Sequence, residues 1–427
     1  MNIRLSKSQI IPNASLTITG SKSETNRLLL LQALFPNIQI ENISNSDDSE
    51  AMSVAIKLLT QNPTIPVKIN VHHAGTAMRF LTAFFSIQEN SEVILTGSKR
   101  MQERPIKILV DALRELGAEI SYEKEEGFPP LKIIGKKLEK NKVSLLANVS
   151  SQYISALLLI APKLENGLEL TLEGEITSIP YIQMTLALLN EIGIETSFEK
   201  NIIKVKEFQF QFQTPNSKFQ TPNSKRLTVE SDWSSASYYY SIIALSEVGT
   251  KITLSNYKKN SLQGDAVLAE IYQSFGVETS FSDNSISITK TNFEYPKSKI
   301  LNLKSAPDIA QTIAVTCFGL GISCHLIGLH TLKIKETDRL EALKTELTKL
   351  GANVSVTHDS LVLEISEKIN KNITIKTYQD HRMAMAFAPL ATKIPIIIDE
   401  AEVVSKSYPT FWEDLEKIGF NLEKFAQ

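Results

Sequence analysis

Apolar positions along this chain fall into two helical patterns that take turns. In the first, apolar residues recur at i, i+3, i+4 and i+7, the spacing that lines one face of a helix. Ile106, Leu109, Val110, Leu113 and Leu116 follow it and stop at Gly117. Ile182, Leu186, Leu189 and Ile192 stop at Gly193, and Val267, Ile271 and Phe275 stop at Gly276. Leu340, Leu343, Leu347 and Leu350 stop at Gly351, and Phe411, Leu415 and Ile418 at Gly419. Met52, Ala55, Ile56 and Leu59 make a sixth amphipathic segment without the glycine. Glycine tolerates the left-handed backbone that closes a helix, so each one reads as a stop.

The second pattern is apolar on nearly every side and opens with polar residues. It covers 23–35, 75–85, 151–161, 232–245, 308–320 and 381–390. A helix apolar all round must be buried all round, so these six are predicted to be central and the amphipathic six to flank them. The two types alternate without exception, with β-rich stretches such as Glu92–Thr96, Leu131–Ile134, 168–172 and 361–365 between them. Six units of roughly 50–80 residues are too many for one core, and three per domain is the natural division. One stretch breaks the pattern: 212–218 is followed at once by an identical copy, 219–225. Two polar, proline-containing copies cannot both keep strand register, which predicts an extended surface loop.

Composition narrows the class. The 427 residues are 42% hydrophobic and 22% charged, ordinary for a globular protein with a sizeable core. A net charge of −2 gives no pull toward nucleic acid or an anionic membrane, so any positive potential must be local. No stretch approaches the ~20 apolar residues of a membrane span, and residues 1–10 do not read as a signal peptide. Cys317 and Cys324 form neither a disulfide framework nor a zinc spacing. A cytoplasmic location is the expectation.

Candidate chemistry collects where the apolar helices begin. GSKSETNR from Gly20, HAGTAMR from His73, Ser150-Ser151-Gln152, SDWSS from Ser231, Pro307-Asp308 and YQDHR from Tyr378 open the six. Free N–H groups and the positive dipole end make a helix start an anion site. Serine, threonine and aspartate there also serve as plain caps, and that is the expectation for Thr76 and Ser234. Arg27, Arg79 and Arg382 differ. Each sits in the first turns of a central apolar helix and needs an internal carboxylate or an anionic ligand. Two basic segments, KRMQERP from Lys99 with Pro105 near the first helical position and KIKETDR from Lys333, open amphipathic helices, where the dipole disfavours cations. Lys406, before Pro409 and the last helix, repeats the arrangement.

These motifs bring the chain close to a known family. GSKSETNR, AGTAMR from Ala74, RMQERP from Arg100, SSQ from Ser150, DWSSAS from Asp232, PDIAQT from Pro307, KETDRL from Lys335 and QDHRMAM from Gln379 stand in the order of the 5-enolpyruvylshikimate-3-phosphate (EPSP) synthases, and the chain resembles that family over almost its whole length. The resemblance implies an α/β fold of two domains, each of three β-α-β-α-β-β repeats with buried parallel helices. It implies a first domain at 14–230, a second at 1–13 and 231–427, and an active site in the cleft between them. The implied reaction moves the enolpyruvyl group of phosphoenolpyruvate to the 5-hydroxyl of shikimate 3-phosphate and releases phosphate. No metal or other cofactor, nucleic acid or membrane is implied, and the enzyme is expected to be a monomer.

By match to the family, Lys22, Gly75, Arg104, Gln152, Arg339, Arg382 and Lys406 hold phosphoenolpyruvate. Lys22, Ser23, Arg27, Ser150, Ser151, Gln152, Ser178, Tyr181, Asp308 and Lys335 hold shikimate 3-phosphate. Asp308 is the implied base for the 5-hydroxyl, Glu336 the implied proton donor to the methylene, and Lys22 a third catalytic group. His73, Phe80 and Thr331 stand where asparagine, proline and asparagine are usual, and Ile179 where lysine is frequent. Phe80 in particular predicts weaker binding of glyphosate, which takes the phosphoenolpyruvate position in this family. Two alternatives compete. The sister transferase acting on UDP-N-acetylglucosamine carries a reactive cysteine in a Gly-Gly-Cys loop, which the segment near Arg100 lacks. A non-catalytic repeat scaffold predicts bland helix starts, which this chain does not have.

Overall fold

The computed structural model describes the chain except residues 62–65, 148–149, 209–224, 367 and 427. The duplicated loop thus lies outside the described residues up to its last position, Lys225. The chain forms two compact units, one of residues 21–229 and one of residues 1–20 with 230–427. The resemblance assigned 14–20 to the other unit. Strand Ala14–Thr17 decides the matter, because it pairs in parallel with Lys251–Ser255 of the 230–427 segment.

In the larger unit, three four-stranded sheets share one plan. A strand, a buried helix, a parallel strand, a second helix and an antiparallel hairpin follow in that order. Ser298–Asn302 and Ser323–Ile327 pair in parallel, with helix Ala310–Leu320 between them. Helix Arg339–Lys349 then leads to the hairpin of Val354–Val356 and Ser360–Leu363. The other two sheets borrow a strand from the chain start. Ala14–Thr17 opens one, and Asn2–Leu5 completes the other between Ile396–Ile398 and Leu422–Phe425.

In the unit of residues 21–229, two sheets repeat the plan in full, in the strand orders Val67–Asn70, Glu92–Thr96, Leu131–Ile134, Glu119–Tyr122 and Lys142–Leu146, Leu168–Glu173, Ile202–Val205, Thr196–Glu199. The third departs from the expected repeat. Its described strands are Ile38–Glu41 and Lys225–Thr228, paired in parallel. Helix Asp47–Gln61 lies between strand Ile38–Glu41 of this sheet and strand Val67–Asn70 of the next one.

The six apolar segments are helices and are buried as their composition requires. Every residue of Gly75–Ser86 and of His381–Phe387 is buried, as are all but Ser234 in Trp233–Leu245 and all but Gln152 in Ser151–Ile160. Hydroxyls inside this packing bond across helices rather than to water: Ser237 meets Thr312 at 3.1 Å and Thr316 donates to Ser241 at 2.8 Å. The five predicted glycine stops all take positive φ, from +70° at Gly276 to +109° at Gly117. One amphipathic helix differs from expectation. The segment 264–275 is a single α turn, Leu268–Ile271, between two 3-10 turns. No helix among the described residues is long and apolar enough to cross a membrane.

Candidate active site

In the unit of residues 1–20 and 230–427, three buried helices bring their polar starts together. Asp308 lies in the 3-10 turn Pro307–Ile309 that leads into Ala310–Leu320. Its Oδ1 accepts from Arg339 Nη1 at 2.9 Å and lies 3.3 Å from Lys335 Nζ, while Oδ2 accepts from Arg382 Nη2 at 3.2 Å. Arg382 Nη1 also donates to the Asp308 carbonyl at 3.1 Å, and Nη2 faces Ser234 Oγ at 3.4 Å. Burial alone would raise the Asp308 pKa, but Arg382, Lys335 and Arg339 outweigh it and hold the carboxyl well below its usual range.

Arg339 is the hub of this network. Its side chain is 2% exposed and touches three carboxylates: Nε to Asp380 at 2.7 Å, Nη1 to Asp308, and Nη2 to Glu336 at 2.8 Å. Burial works against its charge, yet Asp380, Glu336 and Asp308 together raise its pKa. Asp380 is fully buried and does two jobs, since it also caps helix His381–Phe387 by accepting from the Arg382 backbone N–H at 2.8 Å. Lys406 Nζ donates to the Gln379 carbonyl at 2.6 Å, one residue before Asp380. Tyr378 and Gln379 both hold positive φ, +55° and +58°. Two consecutive non-glycine residues in that region are costly, and side-chain anchors hold them. The Tyr378 hydroxyl donates to buried Glu346 at 2.6 Å and Gln379 Nε2 to Glu400 at 3.0 Å.

The unit of residues 21–229 carries cations of a different kind. Arg27, on helix Lys22–Leu34, is 2% exposed and, among the described residues, donates to neutral groups. They are Thr185 Oγ1 at 2.8 Å, the Ser23 carbonyl at 2.6 Å, Ser155 Oγ at 2.9 Å and the Tyr181 carbonyl at 3.3 Å. Its guanidinium lies 5.3 Å from the centre of the Phe80 ring. Arg79 donates to the Gly75 carbonyl at 3.0 Å. Burial pushes both arginines down to about 10, with the charge of Arg104 adding to the effect at Arg79. Among the described residues, Arg27, Arg79 and Arg104 form no ion pair with a carboxylate, whereas Arg339 and Arg382 are internally compensated. A cationic face of this kind stabilises an incoming anion.

Hydroxyl, amide and backbone groups stand at the starts of the helices in this unit. Gly75 opens helix Gly75–Ser86, and a Cβ there would lie 2.7 Å from Arg104 Nη1, so only glycine lets that guanidinium rest against the backbone. Gln152 Nε2 donates to Thr76 Oγ1 at 3.3 Å and joins the starts of two buried helices. Ser150 caps its own helix by accepting from the Gln152 N–H at 3.3 Å, with Ser151 buried beside it. Ser178, at φ +53°, precedes helix Ile179–Glu191 without a capping bond from its hydroxyl. Lys22 and Ser23 are half-buried in the first turn of Lys22–Leu34.

Comparison with known proteins settles the family. Residues 11–415 match the EPSP synthase (3-phosphoshikimate 1-carboxyvinyltransferase) family. A 3-phosphoshikimate 1-carboxyvinyltransferase of Bacteroides fragilis is 45% identical over 96% of both chains. The chain belongs to the EPSP synthase family. Its fold is shared more widely. EPSP synthase from Acinetobacter baumannii superposes with a TM-score of 0.75 at 21% identity, over 99% of this chain and 100% of that one. The enolpyruvyl transferase NikO from Streptomyces tendae superposes with a TM-score of 0.72 at 12% identity, over 100% of this chain and 99% of that one.

Within this EPSP synthase family member, several expectations drawn from the sequence change. Pro105 precedes the N-cap Ile106 of helix Lys107–Glu115 instead of occupying its first turn, and Lys99–Gln102 forms a short helix of its own. Ser234 and Thr76 do not cap. Asp232 caps helix Trp233–Leu245 by accepting from the Ser235 N–H, and Ala74 stands at the N-cap of Gly75–Ser86. Both hydroxyls bond sideways to other elements, Ser234 to Asp265 and Arg382, Thr76 to Gln152. Asp380 stands in the motif that opens its helix, where an aspartate directly before the first helical residue is a capping signal, whereas nothing in the sequence singles out Asp265. Of the unusual residues, Phe80 is fully buried beneath Arg27, Thr331 is buried, and Ile179 is 38% exposed.

Proposed function

We propose that this chain transfers the enolpyruvyl group of phosphoenolpyruvate to the 5-hydroxyl of shikimate 3-phosphate, releasing phosphate, as a monomeric cytoplasmic enzyme. The observation that carries the assignment is the pairing of two kinds of polar helix start within one member of this family. One is a set of cations, buried Arg27 and Arg79 with half-buried Arg104, that have no ion-paired carboxylate among the described residues. The other is a compensated network that sets Asp308 and Glu336 around a single guanidinium. Substrates bearing two phosphates and two carboxylates need the first, and addition of a hydroxyl across a protonated methylene needs the second.

Shikimate 3-phosphate binds Lys22, Ser23, Ser150, Ser151, Gln152, Ser178, Tyr181 and Lys335. Arg27 has most of its N–H groups engaged by protein acceptors, so one remaining donor and its charge serve the shikimate carboxylate. Phosphoenolpyruvate takes Lys22, the Gly75 backbone, Arg104, Gln152, Arg382 and Lys406. Arg339 contributes charge from the centre of its carboxylates more than through free N–H groups.

Asp308 is ionised, as a base must be, but its three cations make it a weak one. Anionic substrate groups compete for those cations and return proton affinity to the carboxylate as they bind. Sharing of Arg339 with an anion likewise weakens its bond to Glu336, which lets that carboxyl carry the proton for the methylene. The shikimate 5-oxygen attacks C2 as its proton passes to Asp308, giving a tetrahedral intermediate. Expulsion of phosphate, with a methyl proton returned to Glu336, then forms the enol ether, and the Asp308 proton leaves with the phosphate or to solvent.

Acceptor exchange tests the assignment. The folded enzyme should release phosphate from phosphoenolpyruvate with shikimate 3-phosphate and not with UDP-N-acetylglucosamine. Release with the nucleotide sugar alone would move the chain to the sister activity. Elution of the pure protein at the mass of one 47.6 kDa chain checks the monomer.

A further inference from the structure

Asp265 is 1% exposed, lies in the 3-10 turn Gly264–Val267, and has no part in the chemistry assigned above. One of its oxygens accepts a proton from Ser234 Oγ, 31 positions earlier in the chain. The other, Oδ1, is buried and accepts no hydrogen bond among the described residues. A serine hydroxyl has a single proton. With that proton committed to Asp265, the Ser234 oxygen turns a lone pair toward Arg382 Nη2, 3.4 Å away. The same Nη2 donates to Asp308 Oδ2 at 3.2 Å. Arg382 is therefore held by one carboxylate directly and by a second through one hydroxyl.

We propose that Asp265 is a positioning residue of the transfer reaction: through Ser234 it fixes the Arg382 guanidinium in the orientation that grips phosphoenolpyruvate. The inference rests on the assignment of Arg382 to that substrate. A plain structural role, a carboxylate at a short helix start, would need neither the bond to Ser234 nor the line through it to Arg382.

Charge supports the geometry. The groups facing Asp265 are Arg382 from helix His381–Phe387, Asp308 from the turn before Ala310–Leu320, and Asp232 at the start of Trp233–Leu245. Burial dominates, Arg382 opposes it, Asp308 and Asp232 add repulsion, and the carboxyl is pushed up to about 6. Above that pH Asp265 can only accept, and the Ser234 proton stays pointed at it. Below it, a protonated Asp265 donates to Ser234, whose own proton can then face Arg382 and repel it.

Steady-state kinetics of the full chain test this. Asp265→Ala and Ser234→Ala should each raise KM for phosphoenolpyruvate about 3–10-fold, the worth of roughly one hydrogen bond, with kcat within about twofold. Asp265→Asn keeps an acceptor for the Ser234 proton and should restore the wild-type KM at pH 7.5. Because the amide does not titrate, the wild-type KM should rise relative to that of Asp265→Asn as the pH falls below about 6. Unchanged KM in both alanine variants, a raised KM that asparagine fails to restore, or a wild-type to asparagine ratio flat with pH would each overturn the proposal. Wild-type enzyme without turnover would instead sink the assigned reaction, so the two failures are distinct.

Discussion

Asp308 makes two direct contacts with arginine and one with lysine, and its isosteric replacement separates charge from shape. Asp308→Asn keeps most of the packing but neither accepts a proton nor balances Arg339, Arg382 and Lys335. It should lower kcat about 10²–10⁴-fold, and Glu336→Gln should do the same, since each removes a proton-transfer group. Phosphate release by folded variants checks both; activity within tenfold of wild type would remove them from the chemistry. Phe80 gives a milder test. Its ring supports Arg27 at 5.3 Å, a contact worth about 1 kcal/mol. Phe80→Leu should raise KM for shikimate 3-phosphate about fivefold and leave kcat nearly unchanged. At this scale the sequence was only partly legible. Arg339 and Arg382 stand out in it, but their partners Asp380 and Asp308 lie 41 and 74 positions away. Distance along the chain hides which anion balances a buried cation. The expectation that Arg27, Arg79 and Arg382 require either an internal carboxylate or an anionic ligand is met in the first way at Arg382, which pairs with Asp308.

Helices and their stops were the most readable elements, because apolar composition on every side admits only a central position. All six apolar segments are buried helices, and all five glycines end their helices in left-handed backbone. What composition could not report is how tightly each stop is packed. At Gly276 an added Cβ would lie 2.8 Å from Phe293 Cβ, whereas at Gly193 it meets nothing within 4 Å. Both φ values are positive, +70° and +93°, so either alanine variant pays the conformational cost of roughly 1–2 kcal/mol. Gly276→Ala should lose a further ~1–3 kcal/mol to overpacking. Urea denaturation midpoints compare them; equal losses would mean that Phe293 yields freely. The 264–275 segment shows the opposite limit. Val267, Ile271 and Phe275 keep helical spacing, yet only one α turn forms, because spacing alone does not fix the hydrogen-bond pattern.

For the whole molecule, the repeat count was legible and the exchange of strands was not. Ala14–Thr17 and Asn2–Leu5 complete sheets whose other strands lie hundreds of residues later, and short apolar strands carry no address. Stability against pH is also a property of the whole chain. Asp308 has a folded pKa below its unfolded value near 3.8, so its contribution is present above that pH and lost as the pH falls below it. Asp308→Asn should therefore cost roughly 3 kcal/mol at pH 7, as expected when one partner leaves a buried ion network, and less at pH 3. Asp265 has the opposite sign. Its folded pKa of about 6 exceeds the unfolded value, so ionisation costs stability above pH 6, and the cost disappears as pH falls toward 3.8. Asp265→Asn should gain stability at pH 7.5 relative to pH 4, by guanidinium denaturation at each pH.

The central claim is an atom-balanced exchange, and phosphorus NMR follows it directly. With both substrates present, the phosphoenolpyruvate signal should convert to inorganic phosphate while the shikimate phosphate signal persists in the enol ether product, and neither should change when one substrate is omitted. Phosphoenolpyruvate left intact by the folded enzyme in the presence of shikimate 3-phosphate would contradict the account.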